Sequence, residues 1–117
     1  MLYLSNALSI NMLGADLPPE GLTLRVRQLS LEEAKGLLGR GFVSVVGHQA
    51  TAEILSVLLG VEVPFNRIAI TMRAGDALLV FQLRVRLEEG RILTKEEVLS
   101  LYEGGQASFY LVEVLDQ

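Results

Sequence analysis

A short strand that runs directly into a helix is the feature that most restricts how this chain can fold. The strand is the continuous apolar run of residues 42–46, which is typical of a central strand covered on both faces. The helix spans residues 50–59, and its apolar side chains recur at three- and four-residue spacing. We therefore expect an α/β (α+β) domain in which this helix packs on a sheet.

The only histidine of the chain, His48, stands at this junction. The first turn of the helix presents free N–H groups and the positive end of the helix dipole, which together form an anion site. A titratable ring beside a phosphate-sized anion site indicates phosphoryl chemistry. The alternative is a histidine that only caps the helix or packs in the core, and the residues by themselves leave both open.

Composition sets the class of protein. A length of 117 residues suits one domain, residues 1–117, with one core. No apolar run approaches the ~20 residues of a membrane span, and the start lacks a signal peptide's basic region, so we expect a cytoplasmic protein without a membrane partner. One histidine and no cysteine argue against a zinc site, and we expect neither metal nor cofactor. The net charge of −4 disfavours duplex nucleic acid, yet it allows a small anion held by a few arginines.

The remaining elements are predicted from local patterns. Capping boxes at residues 30–33 and 94–97 open two helices, which end near Gly39 and Glu103. Strict alternation over residues 22–27 predicts an outer strand with one wet face. Further strands are expected at residues 2–4 and 107–114. Together these elements predict a mixed, mainly antiparallel sheet flanked by helices, chiefly on one face.

A hairpin is predicted between residues 67 and 86. Apolar side chains alternate on both arms, so even positions of the first arm must pair with odd positions of the second, around a two-residue type II′ turn at Gly75-Asp76. Ile70 would then share a face with Phe81. On the opposite face Arg67 would stand across from Arg84, a like-charge pair that a carboxylate, a bound anion or simple solvation could relieve.

At this point the residues resemble a known family. The segment Tyr3–Leu13, the run GHQATAEILS from Gly47, the pair Asn66-Arg67 and the segment Arg86–Gly90 look like the viral and bacterial ring nucleases, which are type III anti-CRISPR proteins. The match covers almost the whole chain, in order. The resemblance implies a homodimer that binds cyclic tetra-adenylate across its two-fold axis. It further implies metal-independent cleavage into linear di-adenylates with 2′,3′-cyclic phosphate, in the cytoplasm of the host if the protein is viral.

The resemblance also assigns roles to residues. His48 would be the general acid for the leaving 5′-oxygen, Arg86 would clamp the phosphate, Glu89 would orient or charge-balance the histidine, and Ser9 would lie near the reacting ribose. The positions that match ligand contacts are Asn6, Asn11, Thr51, Arg67 and Gln82.

Two points stay open at the level of sequence. A helix N-terminus disfavours an imidazolium, which works against His48 as an acid, whereas bound phosphate and Glu89 favour it. A module that sequesters the cyclic nucleotide without cutting it would need most of the same residues.

Overall fold

The fold is given by a computed structural model, which describes residues 1–86 and 93–115. Within this part five strands, three α-helices and one 3₁₀ helix (Ile10–Leu13) follow one another along the chain. The strands are β1 (Leu2–Ser5), β2 (Leu24–Leu29), β3 (Val43–Ser44), β4 (Ala77–Leu83) and β5 (Ala107–Val114). The helices are α1 (Leu31–Leu38), α2 (Gln49–Leu59) and α3 (Lys95–Glu103).

The strands form one mixed sheet in the order β2-β5-β4-β1-β3. β1 is parallel to both of its neighbours, β3 and β4, whereas β5 is antiparallel to β2 and β4. The two antiparallel pairings are the longer ones, so the expectation of a mixed, mainly antiparallel sheet is confirmed. The strand predicted at residues 22–27 is β2, two residues further along, and it is an outer strand as expected.

The three helices lie on one face of the sheet. Their buried side chains share a core with the sheet residues that point toward them, among them Leu4, Phe81 and Phe109, which are at most 1% exposed. Helix α2 supplies most of the helical part of this core. Its buried apolar residues are Ala52, Ile54, Leu55, Leu58 and Leu59.

The opposite face is covered over only part of its area. Its smaller core contains Leu78, Val80 and Met72, against which residues of the 3₁₀ helix pack. Met72 is tied to that helix by its backbone N–H, which donates to the carbonyl of Met12 at 2.6 Å. The loop 70–72 and the 3₁₀ helix therefore cover apolar residues on this face of the sheet, as the α-helices do on the other face.

The predicted hairpin is wrong. Residues 61–73 form no strand, and both edges of β4 are already paired, with β1 and β5. Phe81 belongs to the core under the helices, whereas Ile70 packs on the opposite side of the sheet. Alternation determines which residues of a segment share a face, but it does not determine which strand pairs with that segment. Pairing with β1 and β5 buries more of β4 than the hairpin would, and this decides the pairing.

The turn in this region also differs from the predicted type. Asp76 N–H donates to the carbonyl of Arg73 at 2.9 Å, which makes Gly75 the third residue of the turn, with a φ of +93°. A positive φ at the third position is the type II pattern, not the expected type II′.

The apolar run 42–46 is buried on both faces, as predicted, but the strand in it is not central. β3 lies at the edge of the sheet and contains only Val43 and Ser44. Val45 and Val46 pack into the two different cores. The segment before residue 67 covers the open edge, since Asn66 N–H donates to the carbonyl of Val46 at 2.8 Å.

Both capping boxes are present. Ser30 and Glu33 exchange side-chain and backbone hydrogen bonds at the start of α1, and Thr94 and Glu97 do so at the start of α3. None of the helices in the described ranges is long and apolar enough to cross a membrane.

Candidate functional site

β1 and β3 end side by side, and β4, which is parallel to β1, continues three residues beyond the partner of Ser5; most of the predicted site residues follow these strand ends. β1 leads into Asn6, β3 leads into Gly47 and His48, and β4 leads into Arg84 and Arg86. Ligands of α/β sheets bind outside the carboxyl ends of parallel strands, where the loops diverge. The N-terminus of α2 opens at the same edge and adds free N–H groups to it.

His48 is the N-cap of α2 and is exposed to solvent. Its Nδ1 accepts the backbone N–H of Thr51 at 3.3 Å and lies 3.1 Å from the Thr51 hydroxyl. An accepting Nδ1 carries no proton, so the neutral ring holds its proton on Nε2. The capping role that the sequence left open is therefore real, and Nε2 has no hydrogen-bond partner among the described residues.

Thr51 lies under the histidine ring instead of at the surface. It is 6% exposed, and both its N–H and its hydroxyl lie within hydrogen-bond distance of His48 Nδ1. The structure thus brings Thr51 to the site, where it contacts His48; its contact with a ligand stays a prediction.

Asn6 joins the ends of β1 and β3. Its side-chain oxygen accepts, at 3.3 Å, the N–H of Gly47, which is the residue directly before His48. This bond links two segments that are 41 residues apart in the chain, and it holds the His48 loop against the end of β1.

Arg67 crosses the backbone of Gly47. A Cβ built on Gly47 would come 3.2 Å from Arg67 Cγ, closer than side chains normally pack. Glycine at this position therefore lets the aliphatic part of Arg67 pass beside the His48 loop. The guanidinium has no carboxylate partner in the described ranges, so its positive charge is available at the same edge.

Ser9 and Asn11 lie in the segment that follows β1. Ser9 is the N-cap of the 3₁₀ helix, and its hydroxyl accepts the N–H of Asn11 at 3.3 Å. Both residues are exposed. The hydrogen bond makes Ser9 a cap of this turn, while the exposed Asn11 amide remains open to a ligand.

Arg86 lines a mainly apolar cleft of about 770 Å³ between α2 and α3, which Glu53, Glu96 and Glu97 also line. Ala50, in the first turn of α2 and two residues after His48, lines the same cleft. Arg86 makes no hydrogen bond or ion pair with any residue of 1–86 or 93–115. Arg86 and the first turn of α2 therefore line one cleft. Glu89, the fourth catalytic residue predicted, lies outside the described residues.

Gln82 is exposed on the sheet face that lies away from the helices. Two residues further on, the same alternation carries Arg84 to that face, where its guanidinium contacts Ser108 and Tyr110 of β5. The sequence pattern predicts Arg84 only as the partner of Arg67 in the hairpin. Its true contacts come from residues more than 20 positions away, so no local pattern could have identified them.

Comparison with known proteins places this arrangement in a family. Residues 2–109 match the sequence model of the STIV B116-like family. The chain is 40% identical over 100 residues to Uncharacterized protein 26 of Sulfolobus islandicus filamentous virus, covering 85% of this chain and 81% of that protein. It is 38% identical over 96 residues to Uncharacterized protein ORF117 of Acidianus two-tailed virus, covering 80% and 78%.

A solved structure and a bacterial protein extend the likeness. The fold superimposes on B116 of Sulfolobus turreted icosahedral virus with a TM-score of 0.82 and 32% sequence identity, over 96% of this chain and 97% of that one. Uncharacterized protein YddF of Bacillus subtilis is 30% identical over 96 residues, 79% of this chain and 84% of that protein. On the family match and the viral relatives together, this chain belongs to the STIV B116-like family.

Proposed function

We propose that this protein is a metal-independent ring nuclease that cuts cyclic tetra-adenylate into linear di-adenylates with 2′,3′-cyclic phosphate. In a host cytoplasm this reaction would switch off type III CRISPR signalling. The proposal starts from the resemblance of the segments around Asn6, His48, Arg67 and Arg86 to the ring nucleases. The viral relatives fit a role against a host defence.

The observation that carries the proposal is the convergence of these residues at one edge of the sheet. Asn6 bonds to the backbone beside His48, Arg67 packs on Gly47, and Arg86 shares a cleft with the first turn of α2. Two arginines without carboxylate partners in the described ranges and one helix N-terminus provide positive potential for a phosphodiester. No activated protein nucleophile is required, because the attacking group is the ribose 2′-hydroxyl of the substrate.

In the proposed reaction the 2′-oxygen forms a bond to phosphorus while the bond from phosphorus to the 5′-oxygen breaks. The proton of the 2′-hydroxyl passes to solvent, and His48 Nε2–H gives a proton to the leaving 5′-oxygen. Arg67, Arg86 and the free N–H groups of α2 offset the charge that builds up on the phosphoryl oxygens. A positioned general acid typically contributes ~10²–10⁴-fold to such a rate.

The capping contact sets a condition on this mechanism. A protonated ring carries hydrogen on both nitrogens, so Nδ1 must stop accepting the Thr51 N–H before His48 can act as an acid. The Thr51 hydroxyl, 3.1 Å from Nδ1, is an acceptor that can take the new Nδ1–H. The same side chain thus fits both protonation states of the histidine.

The capping contact also favours a second candidate function. If His48 serves only as the cap of α2, the same edge would bind the cyclic nucleotide and hold it uncut, as a sponge. Binding and cleavage share Asn6, Arg67 and Arg86, so the two functions differ in the role of His48.

Purified protein mixed with cyclic tetra-adenylate in excess EDTA separates these functions. We expect di-adenylate with a 2′,3′-cyclic phosphate to form at a rate that chelator does not change. Tight binding without product would establish the sponge. Cleavage that stops in EDTA and returns with Mg²⁺ or Mn²⁺ would replace the proposed mechanism with a metal-dependent one.

Two substitutions at His48 separate the acid from the cap. Asparagine is a preferred N-cap, so His48→Asn keeps the cap and removes the acid, whereas His48→Ala removes both and costs roughly 0.5–2 kcal/mol of stability. We expect both variants to bind the ligand nearly as well as wild type and to lose at least ~10²-fold in single-turnover rate. Wild-type cleavage by either variant would contradict the role of His48.

A further inference from the structure

Arg84 is a cation that the fold holds in one place on the sheet face away from the helices. Its backbone N–H donates to the carbonyl of Gln106, the residue directly before β5, at 2.8 Å. Val80 packs into the core of this face, so alternation along β4 places Gln82 and then Arg84 on it as well. The Arg84 side chain lies directly beyond the end of β4, and no helix of the described ranges covers this side chain.

Three neutral oxygens fix the guanidinium. Nη1 donates to Ser108 Oγ at 2.9 Å and to the carbonyl of Gly105 at 3.3 Å, and Nη2 donates to the Tyr110 hydroxyl at 2.6 Å. Ser108 is itself 7% exposed, so one of the three acceptors belongs to the rigid part of the sheet. These bonds use three of the five N–H donors of an arginine and leave two for another partner.

None of these contacts neutralises the charge. The ion pairs among residues 1–86 and 93–115 involve the N-terminal amine, Arg25, Arg27 and Lys35, and none of them includes Arg84. An exposed arginine that only needed solvation would lose side-chain entropy by being held in this way. An arginine held in advance, with its charge and two donors free, is suited to a phosphate oxygen.

We propose that Arg84 binds a phosphodiester of the ligand from the open face of the sheet, as a phosphate contact in addition to those of Arg67 and Arg86. This inference rests on the proposed function, because it assigns Arg84 to the same cyclic oligonucleotide. Gln82, a position that matches ligand contacts in the ring nucleases, lies on the same face two residues before Arg84. Ser108 and Tyr110 are the positioning residues for this contact, and they act through the guanidinium.

The test measures the affinity for cyclic tetra-adenylate as a function of salt. Each phosphate that a protein neutralises on a single-stranded nucleic acid contributes about 0.7 to the slope of log K against log salt. We expect Arg84→Met to weaken binding at least ~5-fold and to lower that slope by about 0.7 for every phosphate that Arg84 neutralises in the wild type. Arg84→Lys should recover the slope but only part of the affinity, because it keeps the charge and removes the planar fork.

Two further variants complete the test. Tyr110→Phe removes one of the three bonds that hold Arg84 and leaves its charge, so it should weaken binding less than Arg84→Met and keep the slope. Arg40→Met removes the same charge before β3, at the opposite end of the parallel strands, and should leave affinity and slope unchanged. Thermal unfolding of every variant verifies that the sheet is intact.

Distinct outcomes decide between the explanations. If Arg84→Met behaves like Arg40→Met while wild type binds the ligand, Arg84 only joins β4 to β5, and this inference fails while the proposed function stands. If Arg84→Met dissociates a dimer of the free protein and leaves the affinity of the remaining dimer unchanged, its partner is a carboxylate of the second copy, which also overturns the inference. If wild type does not bind cyclic tetra-adenylate at all, the proposed function itself fails.

Discussion

One nitrogen of His48 has to serve both the helix and the proposed reaction. In the free protein Nδ1 accepts an N–H and caps α2, while an acid would need a hydrogen on the same atom. The buried hydroxyl of Thr51 is the group that can reconcile the two, since a hydroxyl both donates and accepts. The proposed chemistry therefore depends on Thr51 as well as on His48.

Thr51→Val should slow cleavage without weakening binding. Valine has nearly the shape of threonine but offers no acceptor for Nδ1–H, and a hydrogen bond to a charged group is worth about 1.5–3 kcal/mol. We expect single-turnover cleavage to slow by roughly tenfold or more, with an unchanged Kd for cyclic tetra-adenylate. Thr51→Ser retains the hydroxyl and should restore most of the rate. A variant that binds poorly but cuts at the normal rate would instead support direct contact between Thr51 and the ligand.

Gly47→Ala should weaken the ligand contact made by Arg67. The new Cβ would lie 3.2 Å from Arg67 Cγ, so the arginine has to shift. We expect affinity to fall several-fold, and Arg67→Ala should cost less in the Gly47→Ala background than in wild type, because the two changes affect one interaction.

Gly36→Ala is the matched control for this substitution. A Cβ on Gly36 in α1 meets no atom within 4 Å, and alanine favours the helix by roughly 1 kcal/mol. This variant should be slightly more stable than wild type and bind normally. Additive effects of Gly47→Ala and Arg67→Ala on affinity would show that the glycine has another purpose.

At the scale of elements, the helices are secured by bonds made within their own first turns. In α1 the Glu33 carboxylate accepts the Ser30 N–H at 3.0 Å, and the Ser30 hydroxyl accepts the Glu33 N–H at 3.1 Å. The bond from the Ser30 backbone, the bond with its side chain and the charge of Arg27 hold the pKa of Glu33 below its ordinary value of 4.5. A carboxylate with a lowered pKa stabilises the fold above that ordinary value and ceases to do so as pH falls through the folded-state pKa.

The contribution of Glu33 to stability should therefore disappear in acid. We expect the thermal midpoint of the Glu33→Gln variant to lie below that of wild type at pH 7. The two midpoints should approach each other as pH drops below 4.5. The neighbouring carboxylate Glu32, whose contact with Lys35 spans 3.9 Å at the surface, is the control. Glu32→Gln should have little effect at either pH. A difference between wild type and Glu33→Gln that stays constant with pH would contradict the role of the Glu33 charge.

At the scale of the molecule, the site is proposed to be complete only in a dimer. A ring of four equivalent nucleotides suits a two-fold axis, with one His48 from each subunit over opposite phosphates. Large apolar side chains are exposed near the proposed site, where Ile10 is 69% and Ile68 49% exposed. Such side chains are suited to contact with a second copy.

Calorimetry combined with analytical ultracentrifugation tests the dimer. We expect a dimer at micromolar concentration and one cyclic tetra-adenylate bound for every two chains. One ligand per chain on a monomer would show that the site is complete within one subunit.

The sequence by itself determined the features whose partners are a few residues apart. Both capping boxes, the apolar stripe of α2 and the closing strand were predicted correctly because their bonds and spacing are local. The tertiary structure alone decided that β4 pairs with β1 and β5, that Asn6 holds Gly47, and that Arg84 is fixed by Ser108 and Tyr110. The physical reason is that an alternating segment buries its apolar face equally well beside several neighbours. The choice among them follows from the total burial of the whole chain, which no local pattern contains.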